Sequence, residues 1–227
     1  MGSDLSTAQF DSTTIFAAHN PHTGQQQGVN LSGTNAVLHG ITGSADFRRA
    51  NLSGVSFMSS DLSAAQFDST TIFSAHNPQT GQQQGANLSG TNAVLHGITG
   101  NADFRGVNLS GVSFMGSDLS SAQFDSTTIF AAYNPQTGQQ QGANLSGTNA
   151  VLHGITGNAD FRGANLSGVS FMSSDLSNAQ FDSTTIFSDG TQGVNLSGTN
   201  AVLIGPFSST DFSNVNFFGV NLSTAMI

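Results

Sequence analysis

Apolar residues recur at every fifth position of this chain, and that spacing fits neither a helix nor a strand alone. From Ala102 to Ala131 the sequence reads ADFRG, VNLSG, VSFMG, SDLSS, AQFDS, TTIFA, with centres Phe104, Leu109, Phe114, Leu119, Phe124 and Ile129. Five helical steps turn a side chain by about 140° net, which scatters the centres around a helix. Five steps along a flat strand carry the side chain to the opposite face. The spacing is met if each pentapeptide is a short extended segment followed by a turn. The small residue two before each centre (Ala102, Val107, Val112, Ser117, Ala122, Thr127) then points inward with it, as strand geometry requires. The Gly and Ser that follow suit a corner. Successive corners close a coil, and coils stack at strand spacing.

A longer period of 57 residues overlies the first. Leu31, Leu88 and Leu145 are equivalent, as are Ile15, Ile72, Ile129 and Ile186; from Leu145 to Leu196 the step shortens to 51. Two features break the count of five. The steps from Ile41 to Phe47, Ile98 to Phe104 and Ile155 to Phe161 hold one extra residue each, which reads as a bulge. After Ile15, Ile72 and Ile129 come polar stretches rich in Gln and Gly, near 17–28, 74–85 and 131–142. Their Asn-Pro and Thr-Gly pairs are turn signals. The fourth copy has only 188–193 there, and Asp189–Gly193 fits a plain pentapeptide slot. Each long loop is therefore expected to be one coil side carrying an insertion.

The strings Ala50-Asn51-Leu52, Ala86-Asn87-Leu88, Ala143-Asn144-Leu145, Ala164-Asn165-Leu166 and Ala102-Asp103-Phe104 resemble the A-(D/N)-L-x-x consensus of the pentapeptide-repeat family. The resemblance covers nearly all of the chain outside the loops. It implies an all-β fold, a right-handed quadrilateral β-helix with four pentapeptides per coil. One domain is expected over 1–227. Nine pentapeptides and one loop side make ten sides per copy, or two and a half coils. The chain then comes to about ten coils, a rod of roughly 48 Å. Loops one and three share a side on this count, and loop two faces away.

The expected core is Phe47, Leu52, Phe57, Leu62, Phe67, Phe104, Leu109, Phe114, Leu119, Phe124, Phe161, Leu166, Phe171, Leu176 and Phe181. With the Ile residues as centres, Phe16, Phe73, Phe130 and Phe187 point outward. They become candidate interaction residues beside the loops, together with Gln25, Gln82 and Gln139.

Composition narrows the chemistry. The chain has 13 Asp, 4 Arg, no Glu, no Lys and no Cys, for a net charge of −9. Catalysis needs convergent polar groups, and here the acids fall singly, with Arg48, Arg105 and Arg162 after the ADF centres as solvated partners. His39, His96 and His153 sit two before an Ile centre; the fourth copy has Ile204 there. They read as partly buried packing residues. No catalytic residue, cofactor or metal is expected. No stretch approaches the roughly 18 apolar residues of a membrane span, so no membrane insertion is expected. The absence of a visible signal peptide favours the cytoplasm.

The leading expectation is a non-catalytic structural or protein-binding scaffold with an unidentified protein partner. The resemblance supplies an alternative, a DNA mimic that binds a type II topoisomerase such as gyrase, as in quinolone resistance. The sign of the charge suits it, but duplex DNA of that length carries about 28 charges. Direct nucleic-acid binding is not expected. Coils without capping helices at either end suggest end-to-end self-association. Thr-Thr pairs raise ice binding, which the spread of those pairs around the rod disfavours.

Overall fold

The computed structural model describes residues 5, 8, 14–19, 22, 26–32, 34, 36–58, 60–77, 80–89, 91–114, 116–134, 138–172, 174–207, 209–223 and 225–226. Among these, the regular elements are all short strands: β1 (Ala17–His19), β2 (Gln26–Gly28), β3 (Val37–His39), β4 (Ser56–Met58), β5 (Ser74–His76), β6 (Gln83–Gly85), β7 (Ala131–Asn134), β8 (Gln139–Gly142), β9 (Val151–His153), β10 (Ser170–Met172), β11 (Gly205–Pro206) and β12 (Ala225–Met226). Two kinds of pairing divide them. β3 with β4, β9 with β10 and β11 with β12 are parallel; β1 with β2, β5 with β6 and β7 with β8 are antiparallel.

Parallel pairing is the signature of a chain that returns over itself. Single bridges extend it into ladders running along the molecule. One ladder is Val37–Ser56–Asn87–Asn108–Ile129, and a second is Val94–Ser113–Asn144–Asn165–Ile186. A third begins Val151–Ser170–Asn195–Asn216, and Val202–Asn221 begins a fourth, with Asn in the place of Ser. Rungs uninterrupted by a loop join residues 19 to 21 apart, such as Asn30 to Asn51 and Val94 to Ser113. The bridging residue stands just before each inward centre, so its own side chain faces out.

Corners are made by chemistry legible in the repeat. The N–H of Val55 donates to the carbonyl of Leu52 at 2.9 Å, and Gly54 between them has φ +75°. A type II turn demands a positive φ at that place, which Gly adopts without strain. Asn before a centre closes the corner from the other side: Oδ1 of Asn51 accepts from the N–H and hydroxyl of Ser53.

Inside, the centres form one stack. Phe47, Leu52, Phe57, Leu62, Phe67, Phe104, Leu109, Phe114, Leu119, Phe124, Phe161, Leu166, Phe171, Leu176 and Phe181 are all buried. The rings make an unbroken chain from Phe16 to Phe217, with neighbouring centroids 4.7–6.0 Å apart. Offset and edge contacts at these separations add to the burial of apolar area.

The expected register slips just before the hairpin in every copy. Phe16, Phe73, Phe130 and Phe187 are buried (3%, 1%, 1% and 0% exposed), whereas Ile15, Ile72, Ile129 and Ile186 are 78%, 43%, 43% and 45% exposed. The cause is a wide corner. In the second copy Oδ1 of Asp68 accepts from the N–H and hydroxyl of Thr70, and the hydroxyl of Thr71 donates to the carbonyl of Phe47. The turn consumes one extra residue, so the next inward residue is Phe73. That ring then bridges Phe67 and Phe104, at 5.8 and 5.3 Å, and links one copy to the next.

The long loops are likewise not coil sides. They are antiparallel hairpins that leave the coil and return to the same place. Ser56 and Asn87 remain rungs of one ladder although 31 residues separate them. Even the short 188–193 link is such an excursion: Ser188 pairs with Gly193 in antiparallel fashion, and the flanking rung joins Ser170 to Asn195.

Candidate functional site: the corner hairpins

Each hairpin has a root built into the rod and a tip that projects from it. The root depends on one glycine. A Cβ on Gly28 would fall inside contact distance of the backbone of Arg49 and Ala50. Gly85 stands in the same relation to Gly106 and Val107, Gly142 to Gly163 and Ala164, and Gly193 to Asn214 and Val215. In all four cases the returning strand lies directly on a corner of the following coil, with no room for a side chain.

Polar contacts fasten the second hairpin on both faces. On one, the hydroxyl of Ser74 donates to the carbonyl of Arg105, and Nε2 of Gln83 donates to the hydroxyl of Ser74 (2.5 Å) and Oδ2 of Asp103 (3.2 Å). Asp103 is itself forked by Arg105, from Nε to Oδ1 at 2.9 Å and from Nη2 to Oδ2 at 2.6 Å. The same fork joins Arg48 to Asp46 and Arg162 to Asp160. On the other face the amide of Gln84 lies over Gly54 of the preceding coil and accepts from Nδ2 of Asn77 at 3.0 Å. Gln141 lies over Gly111 and Gln192 over Gly168 in the same way.

Burial opposes ionisation of the Asp103 carboxyl, but the hydrogen bonds from Arg105 outweigh it and hold the carboxyl below the usual range. Asp61, Asp118 and Asp175 are also lowered, first by the backbone N–H of Ser63, Ser120 and Ser177 respectively. These acids close turns.

The tips present uncharged groups. Thr80, Gly81 and Gln82 are exposed, as are Gly138 and Gln139. His76 and its counterpart Tyr133 are exposed too, Tyr133 by 63%. No Asp, Glu, Lys or Arg occurs from Ser69 to Ala102.

Of the expected interaction residues, Gln82 and Gln139 stand at these tips, and Gln25 lies outside the described residues. Phe16, Phe73, Phe130 and Phe187 cannot serve as surface anchors, because they are inside the stack. The exposed apolar side chains beside the roots are the Ile residues preceding them. His39 and His96 are not packing residues either; both are exposed. Leu38 and Leu95 fill the inward place instead, with Ala36 and Ala93 two before them, and the next two residues turn outward. Ile204, 66% exposed, follows the same geometry.

No described group of three or more His, Cys, Asp or Glu could hold a metal ion, and no described helix is long and apolar enough to cross a membrane. An open groove of about 540 Å³ is lined by Arg105, Ser120, Gln123, Phe124 and Val151 among others.

Short inward strands, a turn every five residues and parallel ladders define a β-helical repeat protein. The family model for pentapeptide repeats matches in eight copies, over 43–72, 100–129 and 157–186. In these three stretches the chain is similar to the pentapeptide-repeat family. Similar solved structures include HetL, a pentapeptide-repeat protein involved in heterocyst differentiation regulation from the cyanobacterium Nostoc, 20% identical over 88% of this chain and 89% of HetL, TM-score 0.35. QnrB1, a plasmid-mediated fluoroquinolone resistance protein, is 18% identical over 97% of this chain and 91% of its own, TM-score 0.27. Rfr23 from the cyanobacterium Cyanothece is 20% identical over 81% and 84%, TM-score 0.16. No curated protein sequence gives a significant match.

Proposed function

We propose that the chain is a non-catalytic, protein-binding scaffold that offers its corner hairpins to a protein partner from a right-handed, four-sided rod. Rungs 19 to 21 residues apart support four pentapeptide sides per coil. With the hairpins outside the count, each 57-residue copy contributes nine sides rather than ten, and the rod has about nine coils rather than ten. The handedness rests on the family resemblance.

The observation that carries the function is the rooting of the hairpins. All four are seated by a glycine that packs on backbone, and the second is tied down on both faces. A loop fixed in this way keeps its shape before a partner arrives, so less ordering entropy opposes binding.

The test is to replace 17–28, 74–85 and 131–142 with the short 188–193 sequence, which the fold already accepts, and to compare what the two proteins retain from a cell extract. The proposal expects a retained protein that the trimmed form loses, and whose retention changes little between 50 and 300 mM salt, since the tips are uncharged. A DNA-mimicking surface acting through its acids would lose its partner with salt and keep it after trimming.

A further inference from the structure

We infer that the hairpins form a screw-related array, each a quarter turn from the last, so that the rod seats several copies of one small partner domain around it rather than one partner along a face. This rests on the protein-binding reading above.

The ladders carry the inference. Val37 and its copy-equivalents Val94, Val151 and Val202 each begin a different ladder, while every complete ladder runs through the same five residues, Val, Ser, Asn, Asn and Ile. Equivalent residues of successive copies thus fall on successive sides. Nine sides at four per coil is two and a quarter coils. A hairpin follows the Ile that ends its ladder, so each new hairpin stands one corner further on. It also stands about 11 Å higher, at the usual strand spacing.

The roots support the same geometry independently. Gly85 packs where the sides of Asp103 and Asn108 meet, and Gly142 where those of Asp160 and Asn165 meet. Asn108 and Asn165 belong to different ladders.

The partner follows from sameness and direction. The sequences 76–85 and 133–142 differ only at His76 and Tyr133, so whatever binds one tip binds the other. Neighbouring tips point a quarter turn apart, so a rigid surface cannot meet both in the same way. Separate copies can. Recognition of Thr, Gly and Gln tips calls for hydrogen bonding to amides and hydroxyls and for contact with the His or Tyr ring, with no counter-charge.

A suitable probe is a monovalent single-domain antibody fragment selected on a cyclised 74–85 peptide. Mass measurement by light scattering on the intact chain should show at least two fragments bound together. Trimming 74–85 or 131–142 to the short form should remove one fragment each. Saturation at a single fragment, with 74–85 and 131–142 each competent alone, would overturn the array by showing that the sites collide. Failure of the trimmed protein to lose its natural partner would instead overturn the protein-binding reading and leave the fragment count standing.

Discussion

At the residue scale, the exchange of Ile for Phe decides which contacts hold the copies together. Phe73 touches Phe67 below and Phe104 above, while Ile72 is 43% exposed. Phe73→Ala should therefore cost about 3–5 kcal/mol, as for other buried aromatic truncations, and Ile72→Ala about 0.5 kcal/mol or less, as at an ordinary surface site. Denaturant melts check this; equal losses would contradict the register. The root glycines give a second contrast. Gly97 has φ +68° with open space around its missing Cβ, so Gly97→Ala costs only the left-handed strain of roughly 1–2 kcal/mol. Gly85→Ala forces a methyl into the backbone of Gly106 and Val107. It should cost more, about 3 kcal/mol, and should loosen the hairpin, as hydrogen exchange of Gln83 and Gln84 would report.

The carboxylates set the response to acid. Asp61, Asp103, Asp118, Asp175 and Asp189 are held below the usual carboxylate range, so the unfolded chain binds protons more readily than the folded one. The stability they add is present above the unfolded value of about 3.9 and is lost as the pH falls through the folded values. The melting temperature should be flat from pH 5 to 8 and fall below about pH 4. A melting temperature that rises on acidification would refute this.

At the scale of the element, the hairpins are additions to a coil that closes without them. Replacing 74–85 by the short 188–193 form removes the Gln83 bonds to Ser74 and Asp103, each worth about 1 kcal/mol. It also shortens the loop, which returns about 0.6 kcal/mol. The net change in stability should be about 1 kcal/mol, with the strand signal in circular dichroism retained; a collapse of the fold would mean that the hairpins hold the coils.

Much of this element structure was legible in the sequence. The five-residue spacing gave the inward Phe and Leu stack, and the Gln-Gly text marked the hairpins. The wide Asp68 corner was not legible, because a turn held by Asp68 and Thr70 looks in one dimension like an ordinary pentapeptide. The small Thr71, two before Phe73 and buried, was the signal that pointed the other way. In the sequence the hairpins pass for coil sides, because a chain that leaves and re-enters at one corner leaves no mark in the count of five.

At the scale of the whole molecule, counting the hairpins in or out of the coil separates a half-turn from a quarter-turn between copies. The chain has no cysteine, so spin labels can be placed singly through Gly81→Cys, Gly138→Cys and Gly190→Cys, all at exposed hairpin positions. Pulsed electron-electron resonance on the three pairs measures the geometry directly. In a quarter-turn array the first and last of these labels stand on opposite corners and more than four coils apart. The 81–190 distance should then clearly exceed the 81–138 distance. A half-turn relation would bring 81 and 190 back to one side, about five coils or 24 Å apart, and make 81–138 the longer distance, which would contradict the nine-side coil and the array built on it.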